Sequence, residues 1–129
     1  MKMIDGDRFT LQANNDEVIT VTVTSEGTTH LVVYKVVGGQ VIGGPNQGSM
    51  TANVPLKFKL HKTNGDPNTL DLGFTFASPE DVSGEPDDSV KRYVIAVTGD
   101  APNSDTSREA VSGSFGIPAD TVPWRFFIS

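Results

Sequence analysis

Hydrophobic and polar residues alternate along most of this chain with a period of two. Between positions 17 and 24, Ile19, Val21 and Val23 share one side, and three threonines occupy the other. Residues 69–77 repeat the pattern, with an apolar residue at every second position. Successive side chains of a strand point to opposite faces of its sheet, so this pattern predicts half-buried antiparallel strands.

The longest alternating run, residues 49–61, is interpreted as one strand whose even-numbered residues face inward. Pro55, Lys57 and Lys59 fall on its other face. The lysines favour a strand at a sheet edge, and Pro55 favours either an edge position or a bulge. Residues 30–37 are apolar on both faces, which predicts a central strand that is covered on both sides.

Turn-forming residues separate these runs. Asn14-Asn15-Asp16 and Asn64-Gly65-Asp66-Pro67 are strong turn signals, and Gly38-Gly39 predicts a two-residue hairpin. The runs and turns together predict one all-β domain over residues 1–129. We expect an antiparallel β-sandwich of jelly-roll or immunoglobulin-like topology with eight or nine strands. A closed β-barrel is the alternative, because both architectures need the same alternation.

The composition agrees with an all-β protein. Val, Ile and Thr make up 34 of the 129 residues, and their β-branched side chains favour strands over helices. No stretch is apolar for long enough to form a transmembrane helix. The first residues contain no apolar run like that of a secretory signal, so we expect a cytoplasmic protein. A mature form with an added Met1 is the alternative.

The charge and the lack of cysteine exclude several classes of site. Sixteen acidic residues against ten basic ones give a net charge of −6, which argues against a nucleic-acid partner. Disulfides and cysteine-based zinc sites cannot form, because the chain has no cysteine. Five of the acidic residues lie within residues 80–88, a segment that we interpret as a solvated loop, with a calcium site as the alternative.

Catalytic motifs are weak. Residues 112–116, Ser-Gly-Ser-Phe-Gly, lack the first glycine of a nucleophile elbow and are interpreted as a glycine-relaxed strand. The chain has only two histidines, His30 and His61, and neither belongs to a known metal-binding spacing. We therefore do not expect an enzyme, and a small hydrolase is the least favoured of three functions.

The strongest functional signal depends on the topology. If successive strands run antiparallel, the loops at 14–16, 38–39, 64–68 and 99–107 emerge at the same end of the sandwich. Their Asn and Asp side chains offer oxygens that suit calcium or sugar hydroxyls, although the same residues are also common turn formers. The predicted ligand-binding residues are Asn64, Asp66, Asn68, Asp100, Asn103, Asp105 and Tyr34. Of these, Asp66, Asp100 and Asp105 are the candidate calcium ligands.

Two aromatic residues fall out of phase with the buried face, namely Tyr34 and Phe127. Either could stack on a sugar, contact another subunit or pack in a second core. The favoured function is therefore a non-enzymatic, lectin-like module that binds a carbohydrate or another polar ligand, with calcium as a candidate cofactor. The alternative is a structural protein that forms homo-oligomers through strand edges or through the apolar sheet face around Tyr34.

The apolar C-terminal run generates a first prediction. Trp124, Phe126 and Ile128 alternate inward, so the last strand is expected to pair inside the sheet. A chain that ends at Val122 should lose cooperative folding, because it lacks these three side chains. Circular dichroism during thermal melting would show the loss. A soluble truncated chain with a sharp melting transition would contradict this strand.

Overall fold

The computed structural model of the protein describes residues 2–25, 30–33, 40–43, 49–51, 54–60, 62–63, 66–67, 69–77, 90–101, 104–116 and 119–129. These residues form strands joined by turns, and they contain no helix. The strands are β1 (Met3–Asp5), β2 (Arg8–Leu11), β3 (Glu17–Ser25), β4 (His30–Val33), β5 (Gln40–Gly43), β6 (Ser49–Thr51), β7 (Leu56–Leu60), β8 (Lys62–Thr63), β9 (Asp66–Pro67), β10 (Leu70–Ala77), β11 (Val90–Gly99), β12 (Glu109–Gly116) and β13 (Ala119–Ile128).

Two sheets contain all but two of these strands. The six-stranded sheet has the order β1-β2-β13-β10-β4-β6, and the five-stranded sheet has the order β12-β11-β3-β7-β5. The remaining strands, β8 and β9, form a small hairpin. Neither large sheet closes on itself within the described residues. The predicted β-sandwich is therefore confirmed, and the alternative of a closed barrel is wrong for these residues. The pairing is antiparallel except between β2 and β13, which run parallel.

The predicted alternation matches the burial. Ile19, Val21 and Val23 of β3 are fully buried. The apolar residues of β10 that were predicted to face inward are buried as well, and β11 buries Tyr93, Ile95 and Val97 in the same alternating way. Burial of one such side chain stabilises a fold by roughly 1.5–3 kcal/mol, and this fixes the register because a one-residue slip would expose the whole set.

The C-terminal strand lies inside its sheet, as its apolar pattern predicted. β13 pairs with β10 on one side and with β2 on the other. Phe126 and Ile128 are fully buried, and Trp124 packs against the core. A bulge interrupts the β10 pairing, where three residues of β13 lie opposite the single residue Phe74. Pro123 lies in this bulge, a position that suits a residue with no N–H to donate.

The prediction of one strand over residues 49–61 was wrong. The structure has β6 in the six-stranded sheet and β7 in the five-stranded sheet, so the chain crosses between the layers. Val54 and Pro55 lie between the two strands and are exposed. Sequence alternation could not reveal the crossing, because both sheets bury alternate residues. The inference of an edge strand from Lys57 and Lys59 was also wrong, since β7 lies between β3 and β5.

Aromatic rings pack both within one layer of the core and between the two layers. Phe9 of β2 stacks on Phe126, and Phe74 meets Phe126 edge to face. Further along the core, Phe76 of the six-stranded sheet stacks on Tyr93 and Phe115 of the five-stranded sheet. Aromatic pairs of this kind contribute about 0.5–1.5 kcal/mol beyond the burial of their area.

Tyr93 also makes a polar contact inside this core. Its hydroxyl accepts a hydrogen bond from Trp124 Nε1 at 2.7 Å, which links the two sheets. Opposite Tyr93 on β12 lies Gly113, where a Cβ atom would approach the Tyr93 hydroxyl to 2.6 Å. A glycine at position 113 therefore makes room for the tyrosine.

Some predicted features lie outside the described residues. These are the Gly38-Gly39 hairpin, the acidic segment at 80–88 and the second half of the predicted strand at 30–37. Within the described part of the chain, no helix is long and apolar enough to cross a membrane.

Tyr93→Phe tests the link between the sheets. At neutral pH it should lower the free energy of unfolding by about 1 kcal/mol, because Trp124 loses its hydrogen-bond acceptor. Burial, together with the nearby Asp120 and Asp7, raises the pKa of Tyr93 above its ordinary value of 10.0. Its neutral form therefore contributes stability below pH 10.0, and that contribution is lost as the pH rises above this value.

Urea unfolding over a range of alkaline pH measures both effects. The wild-type protein should lose stability more steeply above the tyrosine pKa than Tyr93→Phe does. If the free energy of unfolding fell equally with pH in the two proteins, that result would contradict the burial of an un-ionised tyrosine.

Candidate functional site

Three connecting segments meet at one end of the sandwich. We call this the loop end and define it as the described residues within 12–16, 60–70 and 99–108, together with Ser129. Strand pairing places Leu60 opposite Glu17, and Gly99 opposite Ile19. Backbone hydrogen bonds join Ala13 to Ser129 at 2.8 Å and Asp16 to Leu60 at 2.7 Å. The predicted loop at 14–16 and the described residues of the loop at 99–107 thus share this end. Of the predicted loop at 64–68 only Asp66 and Pro67 are described, and the loop at 38–39 lies outside the described residues.

The loop end is built around a buried acidic side chain. Glu17 is the first residue of β3, and it is only 3% exposed. Its Oε1 accepts a hydrogen bond from the backbone N–H of Asn14 at 2.9 Å. Its Oε2 accepts hydrogen bonds from the hydroxyl of Ser104, at 2.8 Å, and from that of Thr106. One carboxylate therefore holds the segment before β3 and the loop between β11 and β12 in a fixed relation.

Gly99 makes room for this carboxylate. A Cβ atom at position 99 would overlap both the Glu17 carboxylate and the Thr106 hydroxyl. The N–H of Gly99 also donates to the carbonyl oxygen of Thr106, which closes the base of the loop. Thr106 is fully buried, so its hydroxyl needs the partner that Glu17 supplies.

Asp100 extends the pairing of β3 and β11 by one more residue. Its Oδ1 accepts a hydrogen bond from the N–H of Val18 at 3.0 Å, and its own N–H donates to the carbonyl oxygen of Val18 at 3.2 Å. The side chain is nevertheless exposed, at the rim of the loop end. Asp100 therefore fixes its own backbone and also presents a carboxylate to solvent.

The turn before β3 is held by two hydrogen bonds that run in opposite directions between Asn14 and Glu17. The N–H of Glu17 donates to the carbonyl oxygen of Asn14 at 3.2 Å, while the Glu17 carboxylate accepts from the N–H of Asn14. Asp16 lies in the left-handed region with a φ of 60°, a conformation that aspartate tolerates better than most residues. Asn14, Asn15 and Asp16 are all exposed, so this predicted turn presents three polar side chains.

The predicted ligand-binding residues are only partly placed. Asp100 is exposed and Asp105 is half-buried, and both belong to the loop between β11 and β12. Asp66 lies in β9, where its backbone pairs with Thr63. Asn64, Asn68, Asn103 and Tyr34 lie outside the described residues, as does the side chain of Asp66.

Acidic side chains in the described part of the chain do not form a metal-binding group. No three histidine, aspartate or glutamate side chains in it cluster closely enough to hold a metal ion. Asp100 and Glu17 instead accept backbone and hydroxyl hydrogen bonds. The calcium site at Asp66, Asp100 and Asp105 stays a prediction, because it depends on the side chain of Asp66.

Two other sequence features can be placed. The residues at 112–116 lie within β12, so Ser114 has no strand-to-helix turn of the kind that exposes a catalytic serine. Phe127 is half-buried, between the fully buried Phe126 and Ile128. It therefore lies on the outer face of the six-stranded sheet, two residues from the C-terminus at the loop end.

Sequence analysis missed Glu17, although its pattern carried a signal. Position 17 is in phase with Ile19, Val21 and Val23, so the alternation itself placed an acidic residue on the buried face. A buried charged group requires hydrogen-bond partners, which here come from a loop more than 80 positions later in the sequence. Nothing in the local sequence identifies those partners.

Glu17→Ala should lower the free energy of unfolding by roughly 3 kcal/mol, because hydrogen bonds to a charged group contribute about 1.5–3 kcal/mol each and their losses overlap. Glu17→Gln is the matched control. Glutamine keeps the shape of the side chain and one acceptor oxygen, and its amide N–H groups can donate to the hydroxyls of Ser104 and Thr106. The free energy of unfolding should therefore fall clearly less than in Glu17→Ala. Urea unfolding measures both variants, and equal stability of the two would contradict the role of the carboxylate.

Comparisons with known proteins add no relative. No protein-family model matches the chain, and neither a curated protein nor a solved structure was found to be similar. Functional statements about this protein therefore rest on its own residues.

Proposed function

We propose that this protein is a non-enzymatic binding module, which recognises a carbohydrate or a similarly polar ligand at the loop end. The observation that carries the proposal is the buried carboxylate of Glu17, which holds the segment before β3 and the loop between β11 and β12 side by side. Loops that are held on a rigid sandwich are common locations for ligand sites. A site that is ordered before binding avoids much of the entropy cost of ordering loops around a ligand.

The exposed side chains at the loop end have suitable chemistry. Asn14 and Asp16 on one segment, and Asp100 on another, offer carboxylate and amide groups to solvent. Such groups accept hydrogen bonds from sugar hydroxyls, and the amide of asparagine also donates. Their backbones are fixed by hydrogen bonds to Glu17, Leu60 and Val18, so the spacing of these groups is set by the fold.

Phe127 supports the same proposal. Its half-buried side chain lies on the outer sheet face near the loop end. Sugar rings present apolar faces that pack on aromatic rings, and Phe127 offers such a surface two residues before Ser129 of the loop end. A binding surface that combines a fixed aromatic ring with convergent polar groups fits a carbohydrate better than it fits a purely ionic ligand.

The experiment compares two aspartates at opposite ends of the sandwich. Asp100 and Asp120 are both exposed, and each accepts one backbone N–H, from Val18 and from Gly116 respectively. Asp100→Asn and Asp120→Asn each keep an acceptor oxygen for that N–H and remove one charge. Wild-type protein is first applied to a glycan array, and the affinity for the best glycan is then measured by calorimetry for all three proteins.

We expect Asp100→Asn to weaken glycan binding about tenfold or more, as for the loss of one charge-assisted hydrogen bond. Asp120→Asn should bind like wild type, and both variants should melt at nearly the wild-type temperature. Repeating the titration with calcium and with a chelator separates a direct sugar contact from a calcium-bridged one. An array without binding, or equal effects of the two substitutions, would overturn the proposal.

A further inference from the structure

The five-stranded sheet ends on a strand without the usual protection of an edge. Among the described residues, β12 pairs with β11 alone. It is eight residues long, and Ala110, Ser112, Gly113 and Ser114 are exposed. Exposed edges are normally short or carry lysine, proline or a bulge, because their free N–H and C=O groups can pair with another strand. β12 contains neither lysine nor proline, and its pairing with β11 has no bulge.

The charge of this edge is also neutralised. The only charged residue of β12 is Glu109, at its beginning, and its carboxylate forms an ion pair with Lys2. Residues 110–116 carry no charge at all. Residues 110–115 therefore present no charge to an approaching strand, although the whole chain has a net charge of −6. At the end of β12, the Asp120 carboxylate accepts a hydrogen bond from the N–H of Gly116, so the pairing surface ends before Gly116.

We propose that β12 pairs with β12 of a second copy of this chain, antiparallel and about a two-fold axis at Gly113. The sequence around Gly113 is nearly symmetric, since serines flank it and apolar residues follow on both sides. Antiparallel pairing about this point places Ser112 opposite the partner's Ser114, and Val111 opposite the partner's Phe115.

Self-complementarity identifies a second copy as the occupant. A two-fold interface brings the same surface of both subunits together, so each residue must suit its symmetry-related partner. In this register hydroxyl groups face hydroxyl groups, apolar side chains face apolar side chains, and no charge faces a like charge. Cross-strand pairs of these types stabilise antiparallel sheets.

Gly113 allows a close approach at the centre of this edge. It is exposed, although a side chain at this position would point at the Tyr93 hydroxyl in the core. The exposed surface at position 113 is therefore backbone. Glycine within a strand is typical of a place where another backbone comes close.

The pairing would join two five-stranded sheets into one continuous sheet. The five paired residues 111–115 extend over about 17 Å of strand. The Lys2–Glu109 ion pair places the beginning of β1 beside β12, where Met3 and Ile4 are 57% and 56% exposed. These two apolar side chains lie on the side of the sandwich that the second copy would approach.

Sedimentation velocity of charge-swapped variants tests this pairing. Wild type should sediment at twice the mass of the chain. Ser112→Lys combined with Ser114→Lys sets two pairs of like charges opposite each other and should give monomers, and so should Ser112→Asp combined with Ser114→Asp. An equimolar mixture of the two double variants should restore the dimer, because each lysine then faces an aspartate.

Thr24→Lys combined with Thr98→Lys is the matched control. Both threonines are exposed on the same sheet, but they lie on β3 and β11, away from the edge. This control should sediment as wild type does. A wild-type monomer at every concentration, a dimer in either charged variant, or a mixture that stays monomeric would overturn the proposal. Because β12 is separate from the exposed loop residues, glycan binding by the monomeric variants would leave the proposed function intact.

Discussion

The Glu17 carboxylate is the interaction on which the arrangement of the loop end depends. A buried carboxylate is costly unless hydrogen bonds replace the water that it loses, and Asn14, Ser104 and Thr106 supply them here. These partners come from two segments far apart in the sequence, so burial of one side chain also sets where those segments lie. The absence of a side chain at Gly99 is part of the same arrangement, because any Cβ there would occupy the position of the carboxylate.

Alternation predicted the fold well because burial in a sandwich has the same period as the strand itself. The inward faces of β3, β10 and β13 all followed from it. Alternation carries no information about which sheet a strand joins, and for this reason β6 and β7 were taken for one strand. Lysines on the outer face of β7 likewise said nothing about its neighbours, whereas β12, one of the strands that end a sheet among the described residues, has no lysine.

The candidate site could be predicted in outline only. Antiparallel connectivity indicated which loops share an end, and the structure places the segment before β3 and the described residues of the β11–β12 loop together there. The residue that joins them was overlooked, because an acidic residue at a strand start resembles an ordinary turn residue. Its hydrogen-bond partners depend on long-range folding, so only the structure identifies Ser104 and Thr106.

Amide hydrogen exchange at Asn14 and Val18 tests the central claim most directly. Asn14 is exposed, yet its N–H donates to Glu17, and the N–H of Val18 donates to Asp100. If these carboxylates hold the loop end in place, both amides should exchange slowly, with protection that approaches that of Ile95 in the core. Exchange of the Asn14 amide as fast as in an unstructured peptide would contradict a loop end that is fixed by Glu17.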